Sequence, residues 1–168
     1  LTLQGAGAET TVIDATGTEN KSVLEICGSA FVTVRGVMVR GARLDTLADY
    51  GVRYGAGAKV RYSGGINFER CVFTDNEIYA KYTSSVNFGI GVGFFGACGH
   101  ISDCVFTNLS AVAGWANSKS YGGVIAAYMG RLDIDRCHIT DNVSDEEKIN
   151  ICKDYINEKW QTLSTLAN

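Results

Sequence analysis

Several features that mark common classes of function are missing from this sequence of 168 residues. The formal net charge is only −3, with 15 basic residues against 18 acidic ones, so the chain lacks the strongly basic character of a dedicated nucleic-acid-binding protein. No run of 18 apolar residues occurs, which argues against a membrane-spanning helix. Proline is absent, whereas glycine is abundant at 20 residues. We therefore expect one domain, large enough to bury a core, with no nucleic-acid partner and no membrane-spanning segment.

Recognisable cofactor and metal motifs are also missing. The six cysteines, at positions 27, 71, 98, 104, 137 and 152, include no Cys-x-x-Cys pair and fit no zinc-finger spacing. The glycine-rich stretch 89–93 lacks the Lys-Ser/Thr ending and the helix that a phosphate-binding loop needs. The sequence therefore predicts no cofactor and no metal site, and it nominates no catalytic residue.

A 33-residue repeat is the strongest positive signal. Three segments, 66–76, 99–109 and 132–142, align at this lag without gaps, and a weaker earlier copy spans 32–41. Within each copy the apolar and polar residues alternate, which is typical of short β-strands. The equivalent residues form three columns: Cys71, Cys104 and Cys137; Phe68, Ile101 and Ile134; Phe73, Phe106 and Ile139.

This repeat indicates a solenoid. Propeller repeats are longer, at about 40–50 residues, and would need hairpin signals that are missing. No helical pattern separates the strands, so a βαβ fold is unfavourable. Three strands joined by turns fit into one repeat, and stacked coils bring equivalent residues about 4.8 Å apart. We predict an all-β fold: a right-handed parallel β-helix of about four to five coils over residues 1–143.

Charged residues support the same register. Arg70, Asp103 and Arg136 share an outward column, so the sign of the charge alternates from rung to rung. Like charges on adjacent strands would repel each other. Because exposed ion pairs contribute only about 0–1 kcal/mol each, this column is a test of register rather than a source of stability.

The C-terminal segment, residues 144–168, has a different pattern. Ser144 and Glu147 form a capping box, and apolar residues follow at helical spacing. We expect an amphipathic α-helix that covers the open end of the last coil, because uncovered strand edges promote aggregation. Docking on a partner protein is the alternative. The apolar positions are Ile149, Cys152, Ile156, Trp160 and Leu163.

Parts of the repeat resemble a known family. Gly122-Gly123-Val124-Ile125, followed by Ile139-Thr140-Asp141-Asn142, is similar to the polymorphic outer-membrane protein repeat, which pairs a Gly-Gly-Ala-Ile-like box with a Phe-x-x-Asn box. Gly64-Gly65-Ile66 and Phe73-Thr74-Asp75-Asn76 match at shorter spacing, whereas the middle copy has Asn108 one place early. The opening residues 3–14 resemble the first coils of pectin-lyase-like proteins. The resemblance implies a β-helix and leaves the function open, because β-helices include enzymes, adhesins and structural proteins.

Residues with catalytic potential have a plainer interpretation. Catalytic boxes of the polygalacturonase and pectin-esterase types are absent. The outward acids Glu69, Asp75, Asp135 and Asp141 fit a solvated face, and a hydrolase would need two of them at a fixed separation. His100 and His138 fall in different columns without a second ligand nearby, which disfavours a metal or acid–base role.

The remaining candidates concern the environment of the protein. We interpret the cysteine columns as reduced core thiols that pack like small apolar groups, with disulfides between adjacent coils as the alternative. Asn20, Asn108 and Asn142 begin glycosylation sequons and favour a secreted, cell-surface or lumenal location. Tyrosines and a tryptophan in or near loops suggest a face on which sugars could stack: Tyr54, Tyr62, Tyr121 and Trp115.

These observations favour a non-enzymatic structural or adhesion module. It would be a rigid scaffold that binds partner proteins or glycans, as a subunit of a larger assembly. The alternative is a polysaccharide-active lyase or hydrolase of the pectin-lyase-like type.

Overall fold

The chain folds into a parallel β-solenoid of about four turns, in which short strands stack on one another from rung to rung. The computed structural model describes residues 1–45, 52–80, 85–113, 119–121 and 123–144. Within these ranges the strands form five sheets, and neighbouring strands in each sheet run parallel. The predicted all-β solenoid with a repeating unit is therefore confirmed.

The first two sheets carry the repeat that is visible in the sequence. The first sheet contains β1 (Thr2–Gln4), β4 (Ala30–Arg35), β9 (Gly64–Glu69), β14 (Cys98–Ser102) and β19 (Arg131–Asp135). The second contains β2 (Val12–Asp14), β5 (Met38–Arg40), β10 (Val72–Thr74), β15 (Val105–Thr107) and β20 (His138–Thr140).

The other three sheets complete each turn of the solenoid. The third contains β6 (Arg43–Asp45), β11 (Glu77–Ala80), β16 (Ser110–Ala113) and β21 (Val143–Ser144). The fourth contains β7 (Val52–Tyr54), β12 (Val86–Phe88) and β17 (Lys119–Tyr121). The fifth contains β3 (Leu24–Cys27), β8 (Ala58–Arg61), β13 (Val92–Phe95) and β18 (Ile125–Tyr128).

Each complete coil thus has five short strands, and the expectation of three strands per coil is wrong. At successive corners a residue adopts the left-handed backbone conformation, with positive φ. This conformation turns the chain after a short strand, so more strands fit into each coil. Asparagine, aspartate and glycine tolerate this conformation better than other residues. Two corner columns have positive φ on every rung from the second onward: Gly36, Arg70, Asp103 and Arg136; Gly41, Asp75, Asn108 and Asp141.

The register of the repeat agrees with the sequence alignment. Phe73 pairs with Phe106, and Phe106 with Ile139. The weaker copy also aligns, with Val39 opposite Phe73. The sequence separation of these two residues is one position longer than the separation of Phe73 and Phe106. The longer coil includes Gly65, which adopts positive φ near the start of β9.

The core consists of apolar columns that run through the inside of the solenoid. The Phe73 and Phe106 rings stack with their centroids 4.9 Å apart and their planes at 4°. Both side chains are completely buried, as are Phe68 and Ile101 in the neighbouring column. On the last described rung the column positions become accessible, with Ile134 51% and Ile139 52% exposed.

The predicted C-terminal helix lies outside the described residues. Ser144, its expected N-cap, is the last residue of β21, and positions 145–168 follow it. The proposed division of the chain at residue 143 therefore stays a prediction. The described residues contain no helix with the length and hydrophobicity needed to cross a membrane.

Candidate functional site

The three cysteines of the repeat form a continuous column beside the first and second sheets. Cys71 and Cys104 are completely buried, and Cys137 on the last described rung is partly buried. Each thiol lies close to the carbonyl oxygen two residues earlier on its own rung, and to a carbonyl on the preceding rung. For Cys104 these acceptors are Ser102, at 3.2 Å, and Phe68, at 3.6 Å. The column therefore satisfies its polar groups internally.

All the cysteines in the described residues are free thiols: Cys27 and Cys98, which are exposed, and the three members of the column. The neighbouring Cys71 side chain raises the pKa of Cys104, and burial raises it further. Nucleophilic and metal-binding chemistry requires the thiolate. The Cys104 thiol is consequently suited to packing rather than to reaction, whereas contact with Cys104 lowers the pKa of Cys71.

The charged corner column makes an ion pair between two adjacent rungs. Arg136 Nε lies 2.6 Å from Asp103 Oδ1, and a second guanidinium nitrogen lies 2.9 Å from Asp103 Oδ2. This hydrogen bonding lowers the pKa of the Asp103 carboxyl, and the positive charge of Arg70 on the preceding rung acts in the same direction. The alternation of charge inferred from the sequence thus corresponds to a direct contact between Asp103 and Arg136 on adjacent rungs.

Asparagine side chains clamp the corner between the second and third sheets. Asn76 Oδ1 accepts a hydrogen bond from the Ala42 amide, and its Nδ2 donates one to the Val39 carbonyl on the preceding rung. Asn142 makes the equivalent pair of bonds to Leu109 and Phe106. On the intermediate rung the position equivalent to Asn76 and Asn142 is Leu109, whose side chain cannot form these hydrogen bonds.

These contacts bear on the three predicted glycosylation sites. The Nδ2 atom of Asn142, to which a glycan would be attached, is bonded to the Phe106 carbonyl. Attachment there would break the clamp. Asn108 is exposed, and its Nδ2 donates to Asp75 Oδ1. Asn20 accepts a hydrogen bond from the Asp45 amide through Oδ1. This bond does not involve Nδ2, the atom to which a glycan would be attached. By this criterion Asn20 is better placed for modification than Asn142, and Asn108 differs from Asn142 in being exposed.

The outward acids do not form an evident catalytic pair. Glu69 and Asp135 occupy one column with Ser102 between them, and Asp75 and Asp141 occupy another with Asn108 between them. Two rungs correspond to roughly 9.6 Å between equivalent backbone positions. Retaining glycosidases need carboxyl groups about 5–5.5 Å apart, and inverting ones about 6.5–9.5 Å. Neither column matches the retaining geometry, and the spacing lies at the upper edge of the inverting range.

The two histidines lie on different outer faces. His100 is on β14, paired with Asn67 and Asp133, whereas His138 is exposed on β20. Within the described ranges, no group of three or more histidine, cysteine or acidic side chains is arranged to hold a metal ion.

Aromatic side chains form an outer cluster on the fourth and fifth sheets, here called the aromatic ridge: Tyr54, Tyr62, Phe88, Phe95 and Tyr128. Phe95 lies at its centre. The Phe95 ring stacks on Tyr128, with centroids 5.4 Å apart, and meets Tyr62 edge-on at 5.8 Å. Tyr54 stacks on Phe88 at 4.8 Å and approaches Phe95 at 6.0 Å. Tyr62 and Tyr128 are 64% and 56% exposed, so the ridge presents two accessible tyrosines around a fixed phenylalanine.

Polar groups border the aromatic ridge. Lys59 Nζ lies 5.4 Å from the centre of the Tyr54 ring and 3.3 Å from Glu25. Arg61 pairs in register with Phe95, and its half-exposed guanidinium is 4.0 Å from Glu25. Burial raises the pKa of Tyr54. The surface therefore combines ring faces with hydrogen-bond donors, which suits a ligand that is partly apolar and partly polar.

Only part of this ridge is predicted from the sequence. Tyr54 and Tyr62 were anticipated, and Tyr121 continues the Tyr54 and Phe88 column by register. Trp115 lies outside the described residues. Phe88, Phe95 and Tyr128 were missed, although the sequence carries a signal for them. Tyr128 follows Phe95 at the lag of the cysteine repeat, and Phe88 follows Tyr54 at a lag longer by a single position.

Comparison with known proteins gives no relative: no family model, no curated protein and no solved structure matches the chain.

Proposed function

We propose that this chain is a non-enzymatic structural or adhesion module, a rigid scaffold that binds glycans through its aromatic ridge. The observation that carries the proposal is the arrangement of Tyr62, Phe95 and Tyr128, in which two exposed tyrosines flank a ring held in place by stacking. Aromatic rings bind the apolar faces of sugars, while tyrosine hydroxyls and the nearby Arg61 guanidinium provide hydrogen bonds to sugar oxygens.

The backbone arrangement supports a preorganised site. Arg61, Phe95 and Tyr128 occupy equivalent positions on three successive rungs of the fifth sheet. Parallel pairing fixes these positions about 4.8 Å apart along the solenoid. Little conformational entropy is then lost when a ligand binds, because the strands already define the relative positions of the side chains.

The limited size of the ridge favours a glycan over a protein. A standard protein interface uses about 20–30 residues on each side. The aromatic ridge has five residues, and only Tyr62 and Tyr128 are highly exposed. The neighbouring cations share one acid, Glu25, so the local charge is only slightly positive. A single sugar chain matches this area better than the surface of a folded protein.

The family resemblance belongs to the same proposal. The Gly-Gly and Phe-x-x-Asn boxes favour kinship with the polymorphic outer-membrane protein repeat and the pectin-lyase-like β-helices. Right-handed winding follows from the strong preference of parallel crossover connections. A surface or lumenal location, within a larger assembly, would bring such a scaffold into contact with glycans.

Affinity measurements test the proposal directly. The probes are soluble oligosaccharides of cellulose, chitin and polygalacturonate, titrated against the full chain by calorimetry. We expect binding of at least one probe, and a loss of at least about tenfold on Tyr62→Ala with Tyr128→Ala, equivalent to about 1.4 kcal/mol. Tyr79→Ala is the control, because Tyr79 lies on the third sheet beside Arg43 and outside the ridge. Equal affinity in the ridge variant and the control would disprove glycan binding at this site.

Two further outcomes would change the assignment. Binding of a folded protein partner that is lost in the same ridge variant, without binding of any oligosaccharide, would replace the glycan with a protein ligand. Depolymerisation of a uronate-rich polysaccharide, with or without calcium, that is abolished by Asp75→Asn or Asp141→Asn would overturn the non-enzymatic assignment. That result would favour the polysaccharide-active alternative.

A further inference from the structure

Phe31 combines two features that rarely occur together in an aromatic residue. Its φ is 57°, in the left-handed region, and its side chain is 79% exposed. Left-handed backbone is unfavourable for bulky residues, whereas glycine adopts it freely. On the next rung the equivalent position is Gly65, with a φ of 65°. The bend therefore accepts glycine, and the ring at Phe31 adds conformational strain without being buried.

Tyr62 shows the same combination at the corner between the fifth and first sheets. Its φ is 47°, and its equivalents on the preceding and following rungs are Gly28 and Gly96. Both rings lie against a glycine of the following rung: a Cβ atom would lie 2.9 Å from Phe31 Cδ1 at Gly65, and 3.1 Å from Tyr62 Cδ1 at Gly96. Strain of this kind is concentrated at functional sites. Two strained and exposed rings on neighbouring rungs therefore indicate a binding surface.

A shallow cleft without projecting side chains separates these two rings, and we call it the glycine cleft. Phe31 lies against Gly65, and the chain from Tyr62 to Gly65 spans at most about 11 Å. Of the residues between them, Ser63 is buried, and its hydroxyl is bonded to backbone groups on its own rung and on the preceding one. A Cβ atom at Gly64 would meet no atom within 4 Å. The floor of the cleft is thus fixed and open.

We propose that the glycine cleft is a sugar-binding subsite that extends the aromatic ridge by one rung, for an extended linear sugar chain lying along the solenoid axis. The inference rests on the proposed glycan-binding function. Phe31, Tyr62, Phe95 and Tyr128 provide one aromatic ring on each of four successive rungs. From the first of these rungs to the last is a distance of about 14 Å along the axis. A single terminal sugar would reach only part of this row.

The surroundings of the cleft favour a sugar chain over a peptide. Surfaces that bind proteins are usually contiguous apolar patches, whereas the glycine floor keeps the Phe31 and Tyr62 rings apart. Polar groups border the cleft, because the Tyr62 hydroxyl and the half-exposed guanidinium of Arg61 belong to adjacent residues. Sugar rings offer apolar faces to aromatic side chains and hydroxyl groups to hydrogen-bond donors, so a chain of sugars matches this alternation.

Replacement of Phe31 by glycine separates ligand binding from structural support. Phe31→Gly removes both the ring and the left-handed strain, so we expect its urea midpoint to equal or exceed that of the parent chain. Calorimetry on the full chain compares disaccharides and hexasaccharides of cellulose, chitin and polygalacturonate. For the hexasaccharide that binds the parent most tightly, we expect a loss of at least about tenfold. The corresponding disaccharide, which is too short to span from the ridge to the cleft, should keep its affinity.

Arg70→Gly is the matched control for the change in backbone. Arg70 has a φ of 51° at a different corner, so this variant relieves the same kind of strain away from the cleft. Both affinities should be unchanged in it. A Phe31→Gly variant that keeps its affinity for the hexasaccharide, while Tyr62→Ala with Tyr128→Ala loses it, would overturn the inference and leave glycan binding at the ridge intact. Failure of every oligosaccharide to bind the parent would overturn both.

A second variant fills the cleft instead of removing a ring. Gly64→Val places a branched side chain on the open floor at the start of β9, where the φ is not positive and β-branched residues suit a strand. Asn67→Val adds the same side chain to the same strand outside the cleft. We expect Gly64→Val to bind the hexasaccharide at least about tenfold more weakly than Asn67→Val, with equal β-sheet circular dichroism. Equal affinities, or equal losses for disaccharide and hexasaccharide, would contradict a chain that passes through the cleft.

Discussion

The backbone amide of Cys71 donates a hydrogen bond to the Sγ atom of Cys104 on the next rung, with the nitrogen and sulfur 3.4 Å apart. Sulfur is a weak acceptor, but the site is completely buried, so the amide has no access to water there. The cysteine column thus links successive rungs through both packing and hydrogen bonding.

Replacement of Cys104 by alanine tests this role. Cys104→Ala removes the acceptor of the Cys71 amide and leaves a small cavity, so we expect a loss of about 1–3 kcal/mol in the free energy of unfolding. Cys98→Ala is the matched control, since Cys98 is exposed and its change should stay within about 0.5 kcal/mol. Urea unfolding measures both. Similar losses in the two variants would show that the buried position of Cys104 in the column does not stabilise the protein more than the exposed position of Cys98.

Thiol reactivity provides a pH-dependent test. Because the pKa of Cys104 is raised in the folded protein, maleimide labelling at this residue should remain slow at a pH where exposed Cys27 reacts rapidly. Peptide mapping after timed labelling resolves the two sites. Fast native labelling of Cys104 at mildly alkaline pH would contradict its burial.

The same shift predicts a dependence of stability on pH. The unfolded chain begins to release the Cys104 proton near the ordinary thiol pKa of about 8.5, while the folded chain retains it. At Cys104 the unfolded state then binds fewer protons, so this group makes the free energy of unfolding fall as the pH rises above about 8.5, whereas the lowered pKa of the neighbouring Cys71 acts in the opposite direction. Urea midpoints measured across this range should show a shallower decline in Cys104→Ala than in the parent chain.

The corner clamp makes Asn76 a sensitive position. Asn76→Ala leaves the Ala42 amide and the Val39 carbonyl without the side-chain partners that they have on this buried corner. We expect a loss of about 1–3 kcal/mol in the free energy of unfolding. Asn67→Ala, at an incompletely buried position in β9, is the control and should change little. The prediction fails if chemical denaturation gives the two variants equal stability.

Close approach of adjacent rungs makes position 99 sensitive to any side chain larger than glycine. A Cβ atom at this position would overlap the Ile66 carbonyl oxygen and lie 2.8 Å from a Phe94 ring carbon. Gly99→Ala should therefore destabilise the protein by about 1–3 kcal/mol through overpacking. Gly64→Ala meets no atom within 4 Å and has no positive φ, so it should be neutral or stabilising by up to about 1 kcal/mol. Thermal unfolding measures the stability of both variants. A Gly64→Ala variant less stable than Gly99→Ala would contradict the prediction.

Much of the solenoid could be predicted because stacking places like residues on like residues. The Cys71, Phe68 and Phe73 columns are visible in the sequence, since each has equivalents at the constant lag of the repeat. The five-strand coil could not be predicted in this way. It depends on left-handed corners at Arg70 and Asp103, and their residue types do not require that conformation.

The aromatic ridge was harder to predict than the core. Its members come from the fourth and fifth sheets, where the sequence separation of paired residues is not constant. Phe95 and Tyr128 are one position closer in sequence than Arg61 and Phe95. Phe95 and Tyr128 are adjacent only in the folded chain, and nothing in their local sequences distinguishes an outward ring from a core ring. The function of the ridge depends on accessibility, which the pattern of residue types does not specify.

The repeating corners have a consequence for the length of the molecule. Because equivalent positions recur on every rung and strands contact mainly the strands above and below them, one coil can be regarded as an interchangeable unit. Removal of 71–103 would place Cys104 directly after Arg70 and shorten the solenoid by about 4.8 Å, with the remaining columns still in register. Duplication of the same stretch would lengthen it by the same step. The number of coils thus acts as a molecular ruler that sets how far apart the two ends of the protein are held.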